Sequence, residues 1–371
     1  NILYKGFKLE DVNTYRYLGI MFHVSGKPIH AKQDLLSRGL KALFKLLGYF
    51  KQGKPSVSTG FHLFDMIVKP VLLYGADVYG YNISKCHSIY NELFKDVFEK
   101  CHMKFCRYIL GVNRHASLSA LYGETGRFPL YISSIRLFVK YWFRLHKCTE
   151  KSNKLLHYAF EYNINSSSCW SKSIQKLCKC MNIDYSQLGR ISMRSVVDKV
   201  TDFFKKEFIQ GWKTDLYNDK RKDSDMKNKL SCYRNFKNEF YPEYYLFNCS
   251  NPVFRSNICR LRISCHKLHI ETGRYVIKGT RLRPEERLCI YCNLNMVEDE
   301  CHFLLSCPLY KEERKHLLLK LQNTYKEFED LDEENKFRLI MSTKDKSVIS
   351  ALGYYVTSCF KKRSTAIAIT S

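Results

Sequence analysis

The residues best suited to chemistry lie near the end of the chain, in the pattern Cys289-x2-Cys292-x9-His302-x4-Cys307. Zinc prefers thiolate and imidazole ligands and takes four of them in a tetrahedron. A C-x2-C pair forms a tight turn in which both sulfurs can face one ion, and the later His and Cys complete the set. Because no position remains for water, the pattern predicts a structural rather than a catalytic zinc site.

Two alternatives to this assignment follow from the cysteine content. The chain has 16 Cys, so a C-x2-C pair can arise by chance, and the four residues could instead be small buried thiols. Cys301 is a spare thiol beside His302 that could replace one of the ligands. We also consider a second site among four nearby residues, namely Cys259, Cys265, His266 and His269.

Three other potential ligands, Cys101, His102 and Cys106, follow the apolar spacing of a helix, and core packing is the better interpretation for them.

The segment just before the zinc pattern is strongly basic. Residues 251–283 contain eight Lys and Arg against one Glu. Such cations can neutralise phosphates and release counterions, and an exposed aromatic ring can stack on a base. The alternative is a solvated basic face without a ligand. We predict that this segment contacts nucleic acid through Arg255, Arg260, Arg262, Lys267, Arg274, Tyr275, Lys278, Arg281 and Arg283.

The whole chain is basic as well. It has 371 residues and a net charge of +25, from 61 Lys and Arg against 36 Asp and Glu. This favours a polyanionic partner, with nucleic acid ahead of an anionic membrane surface. The N-terminus lacks an apolar signal segment, and the apolar runs are far too short to cross a bilayer. We therefore expect an intracellular protein, nuclear or cytoplasmic and not secreted, with reduced thiols and no membrane partner.

Hydrophobic periodicity predicts a mainly α fold with a small β portion at the N-terminus. Residues 1–28 alternate and are punctuated by glycine, which favours short strands and turns. Pro70 is expected to kink or stop one helix, and Gly111 to end another. The predicted helices cover about 31–50, 60–79, 87–110, 130–147, much of 171–250, 309–328 and 346–361.

Catalytic groups are not evident in this sequence. A two-metal polymerase site needs Asp residues that hold divalent ions, and the chain contains no Asp-Asp pair. Tyr74-Gly75-Ala76-Asp77 resembles part of such a motif, but it lacks the second Asp and lies in a helical context. The acidic residues at 327–334 form a run, for which a solvated loop is the better interpretation.

Several stretches, in their order and spacing, carry the pattern of a known family: residues 15–20 (YRYLGI), 63–75 (LFDMIVKPVLLYG), 105–112 (FCRYILGV), 123–130 (GETGRFPL), 262–275 (RISCHKLHIETGRY) and 298–310 (EDECHFLLSCPLY). Together they resemble the region downstream of the palm in LINE-type, or non-LTR retrotransposon, reverse transcriptases, which are endonuclease–reverse transcriptase polyproteins.

The resemblance implies four segments: the end of the palm at 1–28, a helical thumb-like domain at 29–160, a helical basic linker or connection region at 161–283, and a zinc-knuckle module with C-terminal helices at 284–371. It implies RNA-directed DNA synthesis by a full-length parent that uses Mg²⁺. The implied partners are element RNA, target DNA or an RNA–DNA hybrid, together with upstream palm and endonuclease domains.

The catalytic carboxylates are expected before Asn1, so this chain alone is expected to be an inactive polymerase. A stand-alone zinc-dependent nucleic-acid-binding protein and an inert truncated relic remain the alternatives.

Overall fold

The computed structural model describes residues 3–4, 7–8, 10–78, 96–166, 169–218, 229–275 and 282–370. These residues are mainly helical, which confirms the predicted fold class. The chain forms two compact units. The first comprises Asn1–Pro55, Thr59–His102 and Phe128–Phe208, and the second comprises Ser56–Ser58, Met103–Arg127 and Ile209–Ser371. The four segments implied by the resemblance stay a prediction.

The β structure consists of two small antiparallel pairs near the N-terminus. Strands β1 (Leu3–Tyr4) and β2 (Phe7–Lys8) form one pair, and β3 (Thr14–Tyr17) and β4 (Ile20–His23) form the other. Leu18 and Gly19 both have positive φ, of 46° and 82°, which suits a two-residue hairpin turn. Arg38 donates to the Gly19 carbonyl at 2.6 Å and Tyr74 to the Leu18 carbonyl at 2.8 Å, so side chains of the first unit hold this turn.

The helices of the first unit confirm much of the predicted spacing. They are α1 (Ile29–Gly53), α2 (Val57–Leu63, whose first two residues belong to the second unit), α3 (Lys69–Leu72), α4 (Val97–Leu110, which continues into the second unit), α6 (Leu130–His146), α7 (Glu150–Asn165), α8 (Cys169–Cys180) and α9 (Met193–Tyr217, also continuing into the second unit). The part of the predicted helix 87–110 that precedes residue 96 lies outside the described residues.

Pro70 perturbs its helix as expected. A wide π-helical turn, Phe64–Val68, separates α2 from α3 and ends two residues before this proline. Proline has no N–H, and its ring clashes with the carbonyl four residues earlier, which an extra residue in the turn relieves. Helix α3 then ends at Leu72, whose side chain packs where a Cβ on Gly39 of α1 would otherwise lie.

Cys101, His102 and Cys106 are all buried on α4, which confirms core packing for them. His102 forms a 3.0 Å contact with Glu99, and the same carboxylate accepts a 2.6 Å hydrogen bond from the backbone of Leu130 at the start of α6. The imidazole is therefore a satisfied polar group of the interior. Gly111 ends α4 with φ of 67°, as predicted.

The remaining helices belong to the second unit. They are α5 (Leu118–Thr125), α10 (Tyr244–Asn248), α11 (Pro252–Arg262), α12 (His269–Thr272), α13 (Lys311–Thr324), α14 (Glu333–Ser342) and α15 (Lys346–Thr370). Helix α15 packs against α11 and α13. A Cβ at Gly353 would lie 2.5 Å from the Cβ of Phe254, so only glycine at this position allows α15 to pack this close to α11. All the helices in the described residues are too short or too polar to cross a bilayer.

Asp345 caps the N-terminus of α15. One carboxylate oxygen accepts from the backbone N–H groups of Ser347 and Val348, at 2.8 and 2.9 Å, and from the Ser347 hydroxyl at 2.6 Å. The Ser347 hydroxyl, followed by the backbone N–H of Val348, lowers the pKa of Asp345. The ionised carboxylate is therefore the form that stabilises the helix.

We predict that Asp345→Ala lowers the free energy of unfolding by about 1 kcal/mol at pH 7. The pKa of Asp345 is lower in the folded state than in the unfolded state. The ionised carboxylate therefore gives its full stabilisation above the ordinary Asp pKa, and this stabilisation is lost as the pH falls through the folded-state pKa. Asp345→Asn keeps an acceptor without the charge. The stability gap between wild type and Asp345→Asn should therefore narrow below about pH 4, as measured by urea unfolding. A gap that does not change with pH would contradict this role.

Candidate metal centre and nucleic-acid interface

The first half of the metal centre is built on a small β turn. Leu288 and Val297 form an isolated antiparallel bridge, and the backbone of Cys289 donates to the Met296 carbonyl at 2.8 Å. Asn295 has φ of 51°, a conformation that asparagine tolerates better than most residues. The chain thus reverses within a few residues, and Cys289 and Cys292 lie on the same turn.

The second half of the centre is a single wide helical turn, His302–Ser306. Asp299 accepts from the backbone of His302 at 2.8 Å and begins the turn, and Cys307 donates its N–H to the His302 carbonyl at 2.8 Å as the turn closes. His302 and Cys307 are therefore presented by the two ends of one turn.

The four predicted ligands converge. One ligand atom from each of Cys289, Cys292, His302 and Cys307 lies within 4.8 Å of all the others. The Sγ atoms of Cys289 and Cys307 are 4.0 Å apart, and Cys292 Sγ is 3.4 Å from His302 Nε2. A tetrahedron with Zn–S of about 2.3 Å and Zn–N of about 2.0 Å has edges of about 3.8 Å and about 3.5 Å. The group therefore has the dimensions to hold one metal ion.

Burial and mutual contact raise the pKa of two of the three thiols and lower the pKa of the third. Contact with Cys307, followed by burial, raises the pKa of Cys289 to about 12, and burial raises the pKa of Cys292. The contact with Cys289 lowers the pKa of Cys307. A bound cation would favour the thiolate form of all three, because thiolate is the form that coordinates a metal.

Buried arginines connect the metal centre to its neighbours. Arg314 donates to the Leu304 and Cys307 carbonyls, each at 2.7 Å, and so fixes the second ligand turn from α13. Arg363 of α15 pairs with both oxygens of Glu298 and lies 4.7 Å from the centre of the Tyr291 ring. Sequence spacing gave no signal for these partners, because they lie between 7 and 72 residues from the groups that they fix.

The other considered ligands do not form a second metal group among the described residues. His266 Nε2 lies 2.9 Å from Glu300, which also accepts from Ser264 at 2.8 Å, and His269 Nδ1 lies 2.9 Å from the Leu288 carbonyl. Cys259 is fully buried, and Cys301 does not join the four converging ligands. A second site around these residues is thus not supported in this part of the chain.

The predicted nucleic-acid residues have different environments. Lys267, Tyr275 and Arg283 are exposed, and the Tyr275 side chain is 65% exposed. Arg255 is half-buried and donates to the Cys249 carbonyl at 3.0 Å, while Arg274 pairs with Glu271 at 2.7 Å. Arg260 is exposed. Lys278 and Arg281 lie outside the described residues. The interface made by this set stays a prediction.

Arg262 requires a correction. Its side chain is 1% exposed, and its guanidinium bonds Glu124 at 3.0 Å and Glu243 at 2.8 Å. It also donates to the Met341 carbonyl. A cation already neutralised inside the second unit cannot neutralise a phosphate, so Arg262 belongs to the core and not to the predicted interface. The sequence could not reveal this, since Glu124 is 138 residues away.

Comparison of the chain with protein-family models, with curated proteins and with solved structures gives no match in any of the three.

Proposed function

We propose that Cys289, Cys292, His302 and Cys307 hold a structural zinc ion, and that the chain is the nucleic-acid-binding C-terminal part of a LINE-type reverse transcriptase. The observation that carries the proposal is the convergence of three sulfurs and one imidazole nitrogen within 4.8 Å. A set of three sulfur donors and one nitrogen donor favours zinc over magnesium or calcium, which prefer oxygen ligands.

Zinc would act here as a cross-link between two short turns that have little core of their own. Side chains of the protein supply the other contacts that hold the two turns. Arg314 holds the carbonyls of the second turn, and Glu298 ties the first turn to Arg363. The knuckle would thus be fixed rigidly to α13 and α15, and a rigid knuckle can present neighbouring side chains to a ligand in a defined geometry.

Nucleic acid is the partner that the charge favours. A net charge of +25 draws the chain to polyanions, and exposed Lys267, Tyr275 and Arg283 lie close to the knuckle in sequence. The sequence resemblance to the LINE-type family then assigns the polyanion as element RNA, target DNA or their hybrid. Polymerisation is not assigned to any residue of this chain, which contains no Asp-Asp pair.

The test is RNA binding by the purified chain across a salt series, with and without chelation of zinc. We expect the logarithm of the binding constant to fall linearly with the logarithm of salt concentration, with a slope of about −0.7 per phosphate contacted on a single strand. Chelation should weaken binding at every salt concentration. Binding that ignores chelation would assign the affinity to general basicity, and no binding at all would reject the proposed partner.

A further inference from the structure

Three cations lie near Cys265 in the second unit, and one carboxylate, Glu271, lies beside them. We call Arg107, Lys229 and Arg260 the Cys265 cluster. Lys229 Nζ lies 3.9 Å from Cys265 Sγ, and the Cys265 backbone donates to the Arg260 carbonyl at 2.8 Å. Arg107 is close enough to Cys265 to interact with it electrostatically. Three elements that are distant in sequence therefore bring three cations to one thiol.

Backbone carbonyls rather than carboxylates orient two of these cations. Arg260 Nε donates to the Gly111 carbonyl at 2.9 Å, directly after the end of α4. Lys229 Nζ donates to the His115 carbonyl at 3.5 Å, within the same loop. Neutral acceptors fix the direction of a cation without cancelling its charge. Arg260 therefore keeps its charge available for an anion, and the Lys229 charge is only partly balanced, by Glu271 at 3.9 Å.

The carboxylate near the cluster, Glu271, already forms ion pairs. Glu271 lies 2.7 Å from Arg274 and 3.9 Å from Lys229, so its charge is shared and its shorter contact is to a cation outside the cluster. Arg107 Nε is buried without a hydrogen-bond partner among the described residues. A buried donor that lacks an acceptor is costly, and this donor belongs to a side chain that interacts electrostatically with Cys265.

The titration behaviour agrees with this geometry. Burial raises the pKa of Cys265, while the Lys229 ammonium and Arg260 guanidinium oppose that rise. Burial lowers the pKa of Arg107. Burial disfavours the charged form of Arg107, and an anionic ligand would offset that cost.

We propose that Arg107, Lys229 and Arg260 bind a phosphate group of the nucleic-acid backbone. This inference rests on the proposed function, because a nucleic acid is the source of phosphate that a chain of this charge would meet. Guanidinium forks match phosphate oxygens with paired hydrogen bonds, and Lys supplies a point charge. The site would position the nucleic acid without reading its sequence.

The deciding variant is Arg260→Gln, because Arg260 is exposed and its loss should leave the fold intact. Lys229→Gln and Arg107→Gln complete the series, and circular dichroism checks that each is folded. Lys361→Gln on α15 is the matched control, since it removes one exposed cation outside the cluster. We expect each cluster variant to reduce the magnitude of the salt slope for a single-stranded uridylate oligonucleotide by about 0.7. The control should change it by much less.

Inorganic pyrophosphate, titrated by calorimetry, distinguishes the sources of phosphate. Pyrophosphate binding that Arg260→Gln abolishes, with oligonucleotide binding unaffected, would overturn a nucleic-acid source and assign the cluster to a free anion. Oligonucleotide binding with the same salt slope in all variants would overturn the inference while the proposed function stands. If the wild-type chain binds no oligonucleotide but its binding of pyrophosphate depends on the cluster residues, the proposed function is rejected and the anion site is retained.

Discussion

Under the proposed zinc assignment, replacing Cys307 with serine is expected to reduce bound zinc from one ion per chain to below about 0.1 at micromolar protein. Serine keeps the size of the side chain but removes a soft thiolate ligand, and the remaining Cys289, Cys292 and His302 cannot complete the tetrahedron. Because structural zinc contributes its binding free energy directly to folding, the knuckle should unfold locally. Inductively coupled plasma mass spectrometry of the purified variant measures the zinc content.

The matched control is Cys301→Ser. Cys301 is six residues from Cys307 and next to His302, yet it stands outside the group of converging ligands. Burial raises its pKa to about 12, so it stays a neutral thiol. This variant should retain one zinc per chain. Equal zinc content in Cys307→Ser and wild type would reject Cys307 as a ligand, and loss of zinc from Cys301→Ser would show that the ligand set is different.

Hydrogen exchange locates the unfolding that follows loss of zinc. We expect faster exchange in Cys307→Ser for peptides over residues 288–307 and for the start of α13, which Arg314 joins to the Cys307 carbonyl. Helix α1, in the first unit, should exchange as in the wild type. Uniformly faster exchange across both units would instead indicate that the metal centre supports the whole chain.

Local spacing was enough to predict α1, α6 and the four converging residues, whereas α7 and α14 lie outside the predicted helices. The apolar residues Leu35, Leu43 and Leu47 are buried on α1, because a helix places such residues on one face, but Phe44 of the same helix is 50% exposed. The four converging residues are also encoded locally, since all lie within a span of 19 residues and a C-x2-C turn can present two sulfurs together. Helix α15 is longer than the predicted 346–361 and ends at Thr370. Helix ends are set by weak terminal preferences rather than by the periodic pattern.

Charge pairing over long distances could not be predicted in this way. Arg262 and Arg260 are two residues apart and look alike in sequence, yet one is buried and the other exposed. The difference depends on Glu124 and Glu243, which only the tertiary fold brings to α11. Arg107 likewise occupies an ordinary position of a helical pattern, and nothing near it in sequence indicates Lys229 or Arg260. Ionic sites assembled from distant segments are therefore the part that the sequence left undetermined.

Replacing Arg262 with methionine is expected to destabilise the second unit by about 3–5 kcal/mol. Arg262, Glu124, Glu243 and Lys237 form a buried network with two charges of each sign. Burial by itself would lower the pKa of Arg262, but Glu124 and Glu243 outweigh it and raise that pKa well above its usual value. Removal of the guanidinium leaves two buried carboxylates facing one ammonium, and an uncompensated buried charge is costly.

The geometry explains why no neighbour should substitute for Arg262. Lys237 already donates to Glu243 at 2.5 Å and to the Tyr241 carbonyl at 2.6 Å, so it cannot also reach across to Glu124. Tyr245 donates to Glu124 at 2.5 Å but brings no positive charge. Arg262→Lys should recover part of the loss only, because an ammonium cannot bridge both carboxylates with the paired contacts of a guanidinium.

The measurement is the opening free energy of α11 from native-state hydrogen exchange, which separates the second unit from the first. Arg260→Gln, on the exposed side of the same helix, is the control and should change that free energy by less than about 0.5 kcal/mol. Adding Glu124→Gln to Arg262→Met should restore some stability, because it removes the carboxylate that the loss of Arg262 leaves without a cation. A double variant as unstable as the sum of its parts would show that Arg262 and Glu124 stabilise the unit independently rather than as an ion pair.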